Sequence, residues 1–263
     1  MAGVFRTELI RAFTNKRFIL VFALAGISFM YGWSEVIQIQ QESTVGAIAL
    51  WKNILWRGSY GFFGVVMAGL PYAGSLLTDR RHHFIDQVLM RSPFHQYLSA
   101  KIMAVSCSGA AAVCAPALVL LIVCCLVSPA GQGYIPDLSF GIMGLINPNV
   151  INPGATFVLP PAGFITLSLL MLLCFGGLYA LLGLGSSFVI RSPYIVLGIP
   201  FIVYSLGYYI IPTSVRLAWL GSTEAALLPT TILISPILQY LGLIILFVIS
   251  RLLWGHKKQL LSD

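Results

Sequence analysis

The most reactive side chains of this sequence gather in one short stretch. His82, His83 and Asp86, with His95 further on, have spacings that share a helix face, as a metal site requires. They do not make a closed ligand set, and the polarity of a solvated helix accounts for them, so no metal is assigned. Gly185-Ser186-Ser187 has the Gly-x-Ser form of an intramembrane serine nucleophile, yet a hydroxyl needs a base and no histidine lies in an apolar run. Cys107, Cys114, Cys124, Cys125 and Cys174 all fall in apolar runs without a CxxC pair, which makes them packing residues. Neither HExxH nor a GxxxxGK[ST] phosphate loop occurs, so no catalytic residue is assigned. If ATP drives this protein, another chain binds it.

The elements around these residues are those of a membrane protein. Of 263 residues, 58% are hydrophobic and only 9% charged, against roughly 25% charged in an ordinary soluble domain. Crossing an apolar layer about 30 Å thick takes roughly 20 residues of helix. Six runs have that size: Phe18 to Val36, Tyr60 to Leu77, Ile102 to Val127, Phe164 to Ile190, Tyr194 to Ile211 and Pro236 to Trp254. Long unbroken runs such as Ala115 to Val127 do not alternate as barrel strands do. The expected fold is therefore an all-α integral membrane protein with six transmembrane helices, residues 1–263 forming a single transmembrane domain.

The net charge of +7 is spread over the flanks of the apolar runs, which speaks for orientation and against nucleic acid. Alternate loops hold twelve of the fifteen Lys and Arg residues, leaving Lys52, Arg57 and Arg216 on the other side. The positive-inside bias places both termini in the cytoplasm of a cell (plasma or inner) membrane. Ala23-Leu24-Ala25 resembles a signal-peptide cleavage site but lies inside the apolar run, so the run is read as retained. Within residues 1–17, Phe5, Leu9, Ala12 and Phe13 recur at helical spacing among Arg6, Glu8, Arg11 and Asn15, the pattern of an interfacial helix.

Residues 78–101 form the one sizeable cytoplasmic loop. Phe84, Ile85, Val88 and Leu89 recur at helical spacing between Asp79 and Arg91, and Ser92-Pro93 ends the helix. The exterior segment 128–161 is rich in proline and glycine and carries no Lys or Arg. The exterior segment 213–235 is too apolar for a solvated loop yet its runs are too short to cross, which predicts a re-entrant hairpin before the last helix. Small residues line one face of the second run (Gly61, Gly64, Ala68, Pro71, Ser75) and of the fourth (Gly176, Ala180, Gly183, Ser187), allowing close helix packing. No Asp, Glu, Lys, Arg or His lies near the centre of a run, which argues against an ion-coupled carrier.

The stretch Asp79-Arg80-Arg81-His82-His83-Phe84-Ile85-Asp86-Gln87-Val88-Leu89-Met90-Arg91-Ser92-Pro93, followed by Tyr97 and Lys101, resembles the coupling-helix region of ATP-binding-cassette (ABC) type-2 (ABC-2) permeases. Arg191-Ser192-Pro193 adds support at the next cytoplasmic turn. The topology is also similar: an N-terminal interfacial elbow helix, six crossings, a cytoplasmic coupling helix and a re-entrant exterior hairpin. The chain departs from the family where His83 stands in place of a frequent glycine and in the length of segment 128–161.

The resemblance implies a permease subunit of an ATP-driven exporter of amphipathic, lipid-like or peptide cargo. Its partners would be cytosolic ABC ATPase subunits, a second permease copy or paralogue, and membrane lipid. The chain itself would need no cofactor, ATP and Mg being bound by the partner ATPase. Asp79, Arg80, Arg81, His83, Phe84, Asp86, Gln87, Arg91 and Pro93 would form the ATPase-coupling surface, and Tyr204, Ser205, Tyr208 and Tyr209 a cargo route. Aromatic residues near a membrane boundary also serve as simple anchors, and each arginine as a headgroup contact. The competing function is a membrane scaffold that recruits a soluble partner through the same loop.

Overall fold

The computed structural model describes residues 2–40, 46–81, 84, 94–128, 161–188 and 190–210. Within them the chain is all-helical: α1 (Ala2–Phe13), α2 (Arg17–Gln40), α3 (Ala47–Arg57), α4 (Tyr60–Gly69), α5 (Ser75–Arg81), α6 (Phe94–Val127), α7 (Pro161–Ser186) and α8 (Pro193–Ile210). Three helices contain stretches long and apolar enough to cross a membrane: Arg17–Ile37, Gln96–Val127 and Ser168–Ser186. The chain is thus a helical membrane protein. The sixth expected span, segment 213–235, residues 129–160 and residues 82–93 apart from Phe84 lie outside the described residues.

α6 is the axis of the bundle and packs against α1, α2, α3, α4 and α7. Its closest neighbour is α7, because both small-residue positions needed for backbone contact are present. A Cβ built on Gly109 would lie 2.7 Å from the Gly176 carbonyl oxygen and 3.1 Å from that of Ala68. The two small-residue stripes therefore pack within the chain: Gly64 lies against Phe175 and Val113, and Gly183 against Ala73 and Pro200.

The second expected span, Tyr60 to Leu77, is not one helix. It divides into α4 and α5 around turns at residues 70–74. Pro71 has no amide to continue the α4 ladder, and hydropathy, which stays high through the break, does not register the loss. The carbonyl of Pro71 accepts a 2.7 Å hydrogen bond from the Asn15 side-chain amide instead.

The third span starts earlier than its apolar run. α6 begins at Phe94, which sets Tyr97 and Lys101 inside the helix rather than ahead of it. α3, which carries Lys52 and Arg57, packs along α2. The Gly58 backbone is pressed against Ser28, the Arg57 guanidinium lies 3.8 Å from Glu35, and Lys52 is buried beside the Trp51 ring. The bundle is thus less free of buried charge than its runs of apolar residues imply.

Candidate functional site

The polar centre of the described structure lies where α1, α5 and the start of α6 meet. On α1, Glu8, Arg11 and Ala12 are three and four positions apart and share one face, and Asn15 follows just beyond the helix. That face turns toward the bundle: Glu8 and Ala12 are buried, while Ile10 and Phe13 are exposed. The expected apolar stripe of Phe5, Leu9, Ala12 and Phe13 is accordingly split between the two sides, and the inward side is the charged one. On α6, Tyr97 and Lys101 are one turn apart and both wholly buried.

The carboxylates of Glu8 and Asp79 are served alike. Glu8 Oε1 accepts from Arg11 Nη1 at 2.8 Å, while Oε2 accepts from the Tyr72 hydroxyl at 2.7 Å and Lys101 Nζ at 2.9 Å. Asp79 Oδ1 accepts from Arg11 Nη2 at 2.9 Å, while Oδ2 accepts from the Tyr97 hydroxyl at 2.6 Å and from Lys101 Nζ. Two anions and two cations balance, and each carboxylate oxygen has a donor. The ring faces of Tyr72 and Tyr97 lie 4.8 and 5.5 Å from the Lys101 ammonium and add cation–π attraction.

Electrostatics follow from this arrangement. Burial would raise the pKa of Asp79, but the charge and hydrogen bond of Lys101, with the bonds from Tyr97 and Arg11, hold it below the ordinary carboxylate value. Burial opposes the charge on Arg11 as well, and the Asp79 hydrogen bond and charge more than offset it. Ion pairs sealed in this way add little net stability when formed, yet removal of one partner is costly. Such a cluster is a tie between elements. Each carboxylate oxygen in it is engaged by a donor from another part of the cluster.

The expected coupling residues separate around this tie. Asp79 lies inside it and is 1% exposed, so its side chain faces the bundle and not a docking surface. Arg80 reaches across to α7, donating to the Ser187 carbonyl at 3.1 Å with its guanidinium 5.8 Å from the Phe188 ring centre. Burial lowers its pKa, with the positive charge of Arg191 adding to the effect. Arg81 is exposed, and Phe84 carries the Arg11 guanidinium 4.7 Å over its ring. His83, Asp86, Gln87, Arg91 and Pro93 lie outside the described residues, as do His82 and the side chain of His95.

The expected cargo-route residues also part company. Tyr204 is buried against Phe62, Phe175 and Tyr179, with ring centres 5.1, 6.0 and 5.7 Å away. Tyr208 packs on Phe62 at 5.3 Å. Tyr209 is 78% exposed. The Ser205 hydroxyl oxygen is buried and has no hydrogen-bond partner among the described residues. No protein-family model, curated protein or solved structure matches this chain. The physical arrangement alone therefore carries the functional reading.

Glu8, Arg11 and Tyr72 do not stand out as a site in the sequence. Glu8 and Arg11 are visible there as an i, i+3 pair of opposite charge. Their partner Lys101 stands 93 positions from Glu8, and that separation is what hides the cluster.

Proposed function

We propose that this chain is the membrane-spanning permease subunit of an ATP-driven exporter of the ABC-2 type. The observation that carries the reading is the tie itself. α1, α5 and α6 are joined by buried charge at the end of the bundle from which the 78–101 loop departs. A force applied to that loop by a soluble partner would reach the second and third spans through Asp79 and Lys101 without loss in a soft linker. Closed and open arrangements of packed helices are the usual currency of such switches.

In this reading both termini and the loop are cytoplasmic, α1 is the elbow helix with Ile10 and Phe13 toward lipid, and six spans are completed by residues 236–254. The coupling helix between Asp79 and Arg91 docks on an ATPase subunit that binds ATP and Mg. Exposed Arg81 and the partners Asp86, Gln87 and Arg91 form the docking face, while Asp79 anchors the loop from behind. A re-entrant hairpin at 213–235 faces the exterior, a second permease copy or paralogue completes the transporter, and the cargo is amphipathic, lipid-like or a peptide.

Purification of the chain from its own membranes tests this directly. Recovery of a nucleotide-binding subunit, lost on combined Asp86→Ala and Arg91→Ala replacement, is the expected result. Isolation without such a subunit, or activity indifferent to both replacements, would favour the scaffold reading.

A further inference from the structure

Charge at the α1 end of the bundle is sorted by side. The described residues include three acids, Glu8, Glu35 and Asp79, and each is already in an ion pair: Glu8 and Asp79 inside the tie, Glu35 with Arg57 near the other end of α2. The bases are not matched in this way. Arg6, Lys16, Arg17, Arg81 and Arg191 are exposed, and none forms an ion pair with a described acid. Contacts between the elements bring these bases to one end. Arg11 joins α1 to Asp79 of α5, Arg80 reaches the Ser187 carbonyl at the end of α7, and Arg80 feels the charge of Arg191 just ahead of α8. With its acids turned inward, this end carries exposed charge of one sign among the described residues.

We propose that this basic rim binds the headgroups of phospholipids with net negative charge in the adjoining leaflet. On α1 the outer side is built for it: Arg6, Ile10 and Phe13 are four and three positions apart, exposed, and opposite the buried Glu8 and Ala12. A base beside apolar side chains on the outer face of a helix that lies against the bundle is the pattern of an interfacial anchor. The exposed surface then turns from basic to apolar in the same order on two helices. Lys16 and Arg17 are followed by exposed Ile19 and Leu20 on α2, and Arg191 by exposed Tyr194 and Ile195 on α8. Bases that lead straight into lipid-facing surface stand at headgroup depth, where an anionic lipid supplies the missing countercharge and a zwitterionic one, neutralised by its own ammonium, does not. A soluble acidic protein would match the charges alone, whereas the rim runs on without interruption into the lipid-facing sides of α2 and α8. Lipid therefore holds α1 from outside while Glu8 and Arg11 hold it from within. This inference needs only a membrane protein and makes no assumption about cargo or ATPase.

The full chain in phosphatidylcholine nanodiscs, with a trace of spin-labelled phosphatidylglycerol or spin-labelled phosphatidylcholine, tests the proposal through the fraction of label immobilised on the protein. Phosphatidylglycerol should be immobilised more, a lipid beside one basic residue being favoured about fivefold. Raising NaCl from ~0.05 M to ~0.5 M should shrink the preference. The combined Arg6→Gln, Lys16→Gln and Arg17→Gln variant should remove most of it and leave phosphatidylcholine contact unchanged. Arg57→Gln should not, because Arg57 is already paired with Glu35. Equal immobilisation of the two lipids overturns the proposal and leaves the rim to a soluble acidic partner. A preference that survives the triple replacement, or falls as far in Arg57→Gln, overturns it as well. So does a greater loss in inorganic phosphate than in NaCl of equal ionic strength, which would assign the bases to a free-anion site. If the triple variant fails to fold, Arg6→Gln and Lys16→Gln taken singly decide by the same comparison, each being expected to lower the preference.

Discussion

Glu8 and Lys101 form a 2.9 Å ion pair in which both side chains are sealed from solvent, joining the N-terminal helix to a span that begins some ninety residues later. Neither charge is tolerable alone at that depth, so each exists because the other arrives. Lys101→Met should therefore destabilise the protein by about 3–5 kcal/mol, because it strands two carboxylates with only Arg11 to compensate. The combined Glu8→Gln and Lys101→Met variant should recover a substantial part of the loss. Thermal unfolding of the detergent-solubilised chain, taken round the full double-mutant cycle, measures the coupling. Additive losses would mean the pair is not an energetic unit.

The depressed pKa of Asp79 gives a pH dependence of fixed sign. Its folded value lies below that of the unfolded chain, so its contribution is complete above about pH 4 and disappears as pH falls through the folded pKa. Stability should thus be insensitive to Asp79 between about pH 8 and 5, round figures above the usual carboxylate range, and should decline in acid. Asp79→Asn should lose stability near neutrality and show a flatter acid limb. An unaltered acid limb in that variant would assign the titration to another group.

The hold of Arg80 on α7 is a different kind of contact, made to a backbone carbonyl at the end of a helix and half in solvent. Arg80→Gln should cost only about 0.3–1 kcal/mol, in the range for a cation near a helix C-terminus. Its larger effect should be local. Amide exchange at the end of α7, near Ser187, should accelerate while exchange in α6 stays unchanged, and uniform acceleration would mean that Arg80 supports the whole bundle.

Much of this architecture is legible in the sequence because apolar runs and crossing helices are nearly the same thing. α2, α6, α7 and α8 follow their runs to within a turn or so at most ends. The break in the second span is not legible from hydropathy, since Leu70, Tyr72 and Ala73 are as apolar as a helix interior; Pro71 between Gly69 and Gly74 is the available signal. The charged tie is hidden for a related reason. Lys101 and Asp79 sit at the ends of apolar runs and Glu8 in the interfacial segment ahead of the first, where positive-inside charges and solvated loop residues also sit. Only tertiary pairing distinguishes them. Tyr204 illustrates the same limit, since a tyrosine in an apolar run reads equally as lining or as core until its neighbours are known.

Those neighbours make the final prediction. Tyr204 fills the space between α4 and α7, where a Cβ on Gly61 would lie 2.6 Å from its hydroxyl oxygen. Tyr204→Ala removes a buried aromatic and should lower stability by about 3–5 kcal/mol, while Tyr209→Ala, at an exposed position, should stay within about 0.5 kcal/mol. Gly61→Ala should resemble a milder overpacking change of about 1–3 kcal/mol, relieved in part by Tyr204→Phe, which removes the clashing oxygen. That relief is the discriminating measurement. It is expected only if Tyr204 serves chiefly as packing between these helices, whereas a Tyr204→Phe change that leaves stability intact and gives Gly61→Ala no relief would count against that packing role.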